Sequence, residues 1–295
     1  MHLIRDIYAA KQRTGQPVIS FEFFPPKTEE GDRNLLEKQI PALLAAKPDF
    51  CSVTYGAGGS TREKTLMIVD CIQRQHNLTA LAHLTCVNHT REEVRALLQK
   101  ILALGCKNIL ALRGDAPGGG EFVPTPGGFE YAAQLVELIR ATGDFSVGVA
   151  GFPEGHVACK AGRFADWGHL KAKVDAGADF VLTQLFFDNA AFFEFRDYLN
   201  QQLGVRVPVV PGIIPIMGAA QITRFTQMCG AKIPAPLRTA LDRLSGDEEE
   251  AIQFGIEYAT QQCKELLAAG APGLHFYTLN KARSTVQILK NLGLA

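Results

Sequence analysis

Residues 18–28 read Val-Ile-Ser-Phe-Glu-Phe-Phe-Pro-Pro-Lys-Thr, an apolar, strand-like run that carries one carboxylate, Glu22, between aromatic neighbours and stops at two prolines. The prolines bear on the choice between two architectures. A doubly wound nucleotide-binding sheet carries a glycine fingerprint directly after its first strand and an acidic residue about twenty positions on. Here Pro25 and Pro26 stand in that place. The nearest glycine-rich stretch, Gly56-Ala-Gly-Gly-Ser-Thr61, follows the second strand candidate and opens a helix. It lacks the third fingerprint glycine and the Lys-Ser/Thr of a P-loop. It therefore reads either as a phosphate-cradling turn or as an ordinary loop at the mouth of a barrel.

Working outward, β-branched or apolar runs recur at 18–24, 50–55, 79–86, 108–113, 146–151, 180–185, 207–213 and 273–278. Helical patterns separate them at 30–46, 61–75, 91–104, 131–142, 168–177, 189–202, 219–228 and 283–292, with a further helical stretch at 234–269 before the last strand. Alternating strands and helices with near-continuous apolar strands imply a parallel sheet. Eight such units close into an α/β fold of the (β/α)8 TIM-barrel type, and 295 residues suit one such domain spanning 1–295.

Composition narrows the function classes. With 47% hydrophobic and 20% charged residues the chain can fill a large core and shows no sign of disorder. Formal net charge is zero, so no whole-molecule field draws it to nucleic acid or an anionic membrane. The expected partners are small molecules. An early acidic residue and the absence of any run of 18 uncharged apolar residues speak against export and membrane spans, which gives cytoplasmic as the expected location. Seven scattered cysteines without a C-x-x-C pair fit reduced thiols. His83-Leu-Thr-Cys86-Val-Asn-His89 places three metal-ligand types three apart, but on a strand such positions alternate faces. A shared metal would need a turn inside the motif, and no metal is expected.

Glu22 is the first candidate for chemistry. Burial among aromatic rings disfavours a charged carboxylate, so a Glu there can hold and deliver a proton near neutral pH. A solvated, idle Glu at a strand mouth is the alternative. In a barrel of this kind chemistry sits where strands end, and polar residues gather there: Thr54 and Tyr55, His83 and Thr85, Arg113 to Asp115, Glu154 and His156, Gln184, and Tyr277 to Lys281.

These residues carry a resemblance. Ser-Phe-Glu22-Phe-Phe-Pro-Pro-Lys, Ser-Val-Thr54-Tyr55-Gly-Ala, His83-Leu-Thr, Ala-Leu-Arg113-Gly-Asp115, Phe152-Pro-Glu-Gly-His156, Thr-Gln184-Leu-Phe-Phe-Asp, Pro-Gly-Ile-Ile-Pro and His-Phe-Tyr277-Thr-Leu-Asn280 run in order through nearly the whole chain. Together they resemble the methylenetetrahydrofolate reductase family of flavin enzymes. The resemblance implies a ping-pong reaction in which NADH or NADPH reduces FAD and 5,10-methylenetetrahydrofolate then takes the hydride, giving the 5-methyl form that feeds methionine synthesis. It implies Glu22 as general acid and Asp115 as a fixed charge near the flavin. Gln184 would bind folate, and Phe225 would stack on either substrate. Core packing is the plain alternative for Phe225, as a solvated helix position is for Lys173.

The implied FAD shell is Tyr55, Ala57, His83, Leu112, Arg113, Gly114, Asp115, Tyr131, Ala132, Phe152, His156, Asp166, His169 and Lys173, with Thr54 near the nicotinamide. Gln221, Tyr277 and Lys281 are implied as further folate contacts. Phe152 stands where many relatives have Tyr, His169 where an Asn is expected, and Lys281 where many have Arg, which removes a bidentate fork. The Gly/Pro-rich segment 116–128 either covers the adenine side or fills space. The resemblance also leads us to expect no regulatory domain and a homo-oligomer. A flavin-free pterin enzyme and a non-catalytic FAD-binding relative are the competing readings.

Overall fold

The computed structural model describes residues 1–55, 62–116 and 122–295. Eight parallel strands close into a barrel in sequence order: β1 (Val18–Phe23), β2 (Phe50–Val53), β3 (Thr79–Thr85), β4 (Asn108–Leu112), β5 (Ser146–Gly151), β6 (Phe180–Leu185), β7 (Val209–Ile213) and β8 (Gly273–Tyr277). Each expected strand is present. Side chains alternate along a strand, so one set packs outward under the helices and the other fills the barrel. On β1, Phe21 and Phe23 join the outer core with Val53 and Ile72, while Val18 sits inside with Phe50, Leu81, Leu110 and Phe180.

The helices are α1 (Ile4–Thr14), α2 (Glu29–Asn34), a π-helical turn (Leu35–Gln39), α3 (Ile40–Leu44), α4 (Arg62–His76), α5 (Arg91–Ala103), α6 (Ala132–Thr142), α7 (Arg163–Asp175), α8 (Asn189–Gln201), α9 (Ala219–Cys229), α10 (Ala235–Arg243), α11 (Glu248–Ala268) and α12 (Ala282–Asn291). Four differ from expectation, the first being the stretch 30–46, which is α2 and α3 joined by the π-helical turn. Helix α1 was not foreseen; it plugs the bottom of the barrel, where Ile4 and Tyr8 meet Phe50 and Phe180 and the Ile4 N–H donates to Asn108 Oδ1 at 2.9 Å. Helix α7 begins at Arg163 rather than 168, because Gly168 lies inside it rather than at its start. The stretch 234–269 is two helices, separated where Asp247 caps α11 by accepting from the Glu250 N–H. No helix among the described residues is long and apolar enough to cross a membrane.

Candidate active site

Register assembles the first cluster. β1 pairs with β2 and β8 so that Glu22 lies beside Ser52 and Tyr277, and Ser20 beside His275. Glu22 is 5% exposed. Its Oε2 accepts from Ser52 Oγ at 3.4 Å and lies 3.2 Å from His275 Nε2 and 3.5 Å from His83 Nε2. The second ring nitrogen of His275, Nδ1, is 2.8 Å from Ser20 Oγ. Ser20, His275 and Glu22 thus form a buried chain that carries a proton in either sense. With the serine hydroxyl donating to Nδ1, Nε2–H donates to the carboxylate; with Nδ1–H donating to serine, a protonated Glu22 donates to Nε2.

His83 closes the cluster from β3. Desolvation pushes its pKa down to about 4, with the Glu22 charge opposing and His275 reinforcing, so the ring is neutral at pH 7. Burial and the Glu22 charge hold the Tyr277 phenol well above its usual range, and its hydroxyl donates to the Thr183 carbonyl at 2.6 Å. Gly212 on β7 leaves room for that ring; a Cβ would stand 2.7 Å from Tyr277 Cε2. The loop after β8 then clamps the end of β1. Thr278 Oγ1 donates to the Glu22 carbonyl at 2.7 Å, and the Asn280 amide brackets Phe24 at 2.9 and 2.7 Å. Leu279 and Asn280 adopt left-handed backbone to make this turn.

A second cluster gathers at the ends of β4 and β5 against α7. Lys173 Nζ donates to the Ala150 carbonyl at 2.6 Å, and desolvation pushes its pKa down to about 8, against the pull of Asp166 and with the push of Arg113. Desolvation raises the Asp166 carboxyl and lowers His156. The Ala158 N–H donates to His156 Nδ1 at 3.0 Å, which puts the proton of the neutral ring on Nε2 as a free donor. Phe152 meets His156 edge-on at 4.5 Å, and the Arg113 guanidinium lies 4.9 Å over Phe122. Two cations, an imidazole donor and one carboxylate converge here, a set that suits a phosphate-bearing ligand with sugar hydroxyls. Within the barrel His83 Nε2 and Thr85 Oγ1 are buried without a hydrogen-bond partner among the described residues, and so also await an acceptor or donor.

Lys173 gives a pH prediction for the ligand-free protein. Its folded pKa lies below its unfolded value, so between about pH 8 and 10.5 the unfolded chain binds the extra proton and native stability rises with pH. Lys173→Met should therefore be more stable than the parent at pH 7, by on the order of 1–3 kcal/mol. That advantage should vanish by pH 10.5, as urea unfolding of the two proteins across that range would show. An advantage constant with pH would mean that the ammonium is not desolvated.

The other residues are placed as follows. Leu112 and Gly114 flank Arg113; Gly114 has φ 81°, and a Cβ there would lie 2.8 Å from Val87 Cγ1. Asp115 is exposed just beyond β4, Tyr131 is exposed, Ala132 is buried at the start of α6, and His169 is exposed on α7. The Thr54 N–H donates to the Phe23 carbonyl at 2.9 Å, which puts Thr54 next to the strand that carries Glu22. Tyr55 joins a third network: Arg62 Nε donates to its hydroxyl at 2.9 Å, and that hydroxyl lies 3.2 Å from His89 Nε2. His89 Nδ1 is 2.7 Å from the Val87 carbonyl and its Nε2 is taken up by Arg62 and Tyr55, and His83, Cys86 and His89 do not group as metal ligands among the described residues. Ala57 and the glycine loop 56–61 lie outside the described residues.

Gln184 Oε1 accepts its neighbour Leu185 N–H at 2.9 Å. Gln221 spends its amide on the loop after β7, accepting from Met217 N–H at 2.7 Å and donating to the Pro215 carbonyl at 3.1 Å. Phe225 packs, partly buried, beside Leu185, Ile214 and Ile222, and Lys281 is exposed at the start of α12. Of segment 116–128, the described end is pinned: the Arg91 N–H donates to the Gly127 carbonyl at 3.1 Å, and Gly128 passes too close to the His89 carbonyl for any side chain. His275, Ser20 and Ser52 lie inside the quoted motifs without a role of their own; inward alternation counted from Glu22 and Tyr277, with the parallel register, brings them to the carboxylate.

The family model described as methylenetetrahydrofolate reductase matches residues 7–293. Methylenetetrahydrofolate reductase (NADH) 1 of Zea mays is 44% identical over 291 residues, covering 95% of this chain and 49% of that protein. The 5,10-methylenetetrahydrofolate reductase of Escherichia coli is 39% identical over 279 residues, covering 95% and 92%. The chain thus spans about half the length of the plant relative and nearly all of the bacterial one. Among solved structures, a Clostridium thermocellum protein that binds two copies of 5-methyl-5,6,7,8-tetrahydrofolic acid superposes with a TM-score of 0.63 at 17% identity, covering 98% of this chain and 97% of that one. At that identity the likeness is one of fold.

Proposed function

The chain belongs to the methylenetetrahydrofolate reductase family, and from that premise we propose that it reduces 5,10-methylenetetrahydrofolate to 5-methyltetrahydrofolate, with FAD as cofactor and NADH or NADPH as donor, by a ping-pong mechanism. The observation that carries this reading is Glu22, a buried carboxylate at the mouth of the barrel that is hydrogen-bonded to Ser52 and His275, with the neutral His83 3.5 Å away. The methylene bridge must open to an iminium before hydride can add, and opening needs a proton on the departing nitrogen. Glu22 supplies it as general acid. His275 and Ser20 orient the carboxyl through their hydrogen-bonded chain.

The second cluster suits the cofactor. Arg113 and Lys173 would neutralise its pyrophosphate, while His156 and Asp166 would bind sugar hydroxyls. A bound flavin would supply two-electron hydride transfer between nicotinamide and folate. Asp115, in the loop after β4, is assigned as the fixed charge that disfavours an anionic reduced flavin. Asp115→Asn should therefore raise the flavin potential and slow folate reduction. An unchanged potential, measured by equilibration with redox dyes, would remove this electrostatic role.

The test is the visible spectrum of the purified protein under anaerobic conditions. A flavin band that bleaches with NADH, the donor in the name of the maize relative, and returns with methylenetetrahydrofolate supports both half-reactions. A protein that stays colourless when FAD is added would overturn the reading and favour a flavin-free pterin enzyme.

A further inference from the structure

We propose that Thr85 is a further cofactor-binding residue, whose hydroxyl hydrogen-bonds the ring of the flavin; the inference rests on the FAD reading above. Thr85 ends β3 two residues beyond His83, so both side chains point into the barrel, on the inward face that Leu81 begins. It is 4% exposed, and its Oγ1 has no hydrogen-bond partner among the described residues. The other serine and threonine hydroxyls of the barrel strands are spent. Ser20 meets His275 Nδ1, Ser52 donates to Glu22, and Thr79, Ser146 and Thr183 accept from the backbone N–H groups of His2, Arg5 and Gly212. Of the buried side-chain atoms left without a partner, those on barrel strands are Thr85 Oγ1 and His83 Nε2, and the rest lie on helices. A threonine kept only for packing would bond its hydroxyl or give way to valine, which has the same shape and no polar atom to leave unpaired.

Position directs this hydroxyl to the flavin ring rather than to the pyrophosphate. His83, one inward place below Thr85, lies 3.5 Å from Glu22 Oε2, so Thr85 stands at the end of the barrel where the acid meets the folate and where the ring must deliver its hydride. The cations suited to phosphate gather elsewhere, against α7 at the ends of β4 and β5. The place of Thr85 is also fixed. It pairs with Leu112 in the β3–β4 register, and the next N–H, that of Cys86, donates to the Leu112 carbonyl at 3.1 Å. Gly114 lets the turn after β4 pass close beside it, since a Cβ there would stand 3.1 Å from Thr85 Cβ. A hydroxyl donates and accepts at once, which suits a ring edge built of carbonyl oxygens and nitrogens, and it brings no charge that would compete with Asp115.

The test is Thr85→Val, with Thr85→Ser as the variant that keeps the hydroxyl, each measured with and without FAD. Without FAD, Thr85→Val should unfold at or above the thermal midpoint of the parent, because it removes an unpaired buried hydroxyl. It should nevertheless bind FAD about three- to tenfold more weakly in a flavin-fluorescence titration, the worth of one hydrogen bond. The midpoint potential of the bound flavin should shift in Thr85→Val and return in Thr85→Ser. Unchanged FAD affinity in Thr85→Val would overturn the proposal, as would an unmoved potential, which would take the hydroxyl off the ring. A lowered midpoint without FAD would also overturn it, since the hydroxyl would then be a structural group already bonded in the free protein. A parent that binds no FAD would sink the reductase reading and this assignment with it, whereas a parent that binds FAD beside an indifferent Thr85→Val sinks the assignment of Thr85 alone.

Discussion

Glu22→Gln is expected to slow reduction of methylenetetrahydrofolate by roughly 10²–10⁴-fold, the usual worth of a general acid, while reduction of the flavin by NADH stays near that of the parent. The substitution nearly conserves volume and keeps an acceptor. A glutamine oxygen can still take the Ser52 hydroxyl and the His275 Nε2–H, now 3.4 and 3.2 Å from Oε2, so the strand pairing around position 22 should survive. What is lost is a group that gives up a proton to the departing nitrogen. The two half-reactions therefore separate the roles, because only the folate step needs that proton. Stopped-flow measurement of each would decide, and a parallel loss in both would make Glu22 a structural residue. His275→Gln should cost less than Glu22→Gln and should move the pH profile of the folate step, since it removes the orienting partner and leaves the acid in place.

The barrel was legible because its signal is repeated. Eight apolar runs at near-regular spacing survive an error in any one of them, and Pro25-Pro26 after β1 removed the leading alternative. The helices that escaped had weaker local signals. In α1 only Ile4 and Tyr8 are buried, a stripe of two residues whose meaning lies in the barrel floor they close. In α7 a glycine at 168 imitates a boundary, although no neighbour crowds it and the helix runs through it. At the site, Glu22 stood out as a charge in an apolar run, whereas His275 did not. A histidine in His-Phe-Tyr looks like any strand residue until β8 closes back onto β1 across more than 250 residues of chain. That closure is a property of the whole barrel, and no local pattern contains it. Gln221 shows the converse: a residue assigned through resemblance to a ligand spends both ends of its amide on the β7 loop.

Trp167→Ala should be the most destabilising single change considered, by about 3–5 kcal/mol, or on the order of 10 °C in unfolding midpoint. The indole is fully buried between Phe164, Phe195 and Tyr198, with ring centroids 5.1, 5.4 and 5.2 Å away. Its Nε1–H donates to the Phe152 carbonyl at 2.9 Å. That bond ties α7, which carries Asp166, His169 and Lys173, to the end of β5, which carries Phe152 and leads to His156. Removing the ring opens a large cavity and leaves the Phe152 carbonyl without its donor. The second cluster should therefore loosen together with the fold. Trp167→Phe separates the two contributions: it keeps much of the packing but loses the donor, and should cost only about 1–3 kcal/mol. If the two variants unfold together, the hydrogen bond outweighs the packing; if the alanine variant unfolds with the parent, the packing account fails. Trp167 is the chain's single tryptophan, so in the parent its fluorescence reports on this junction directly.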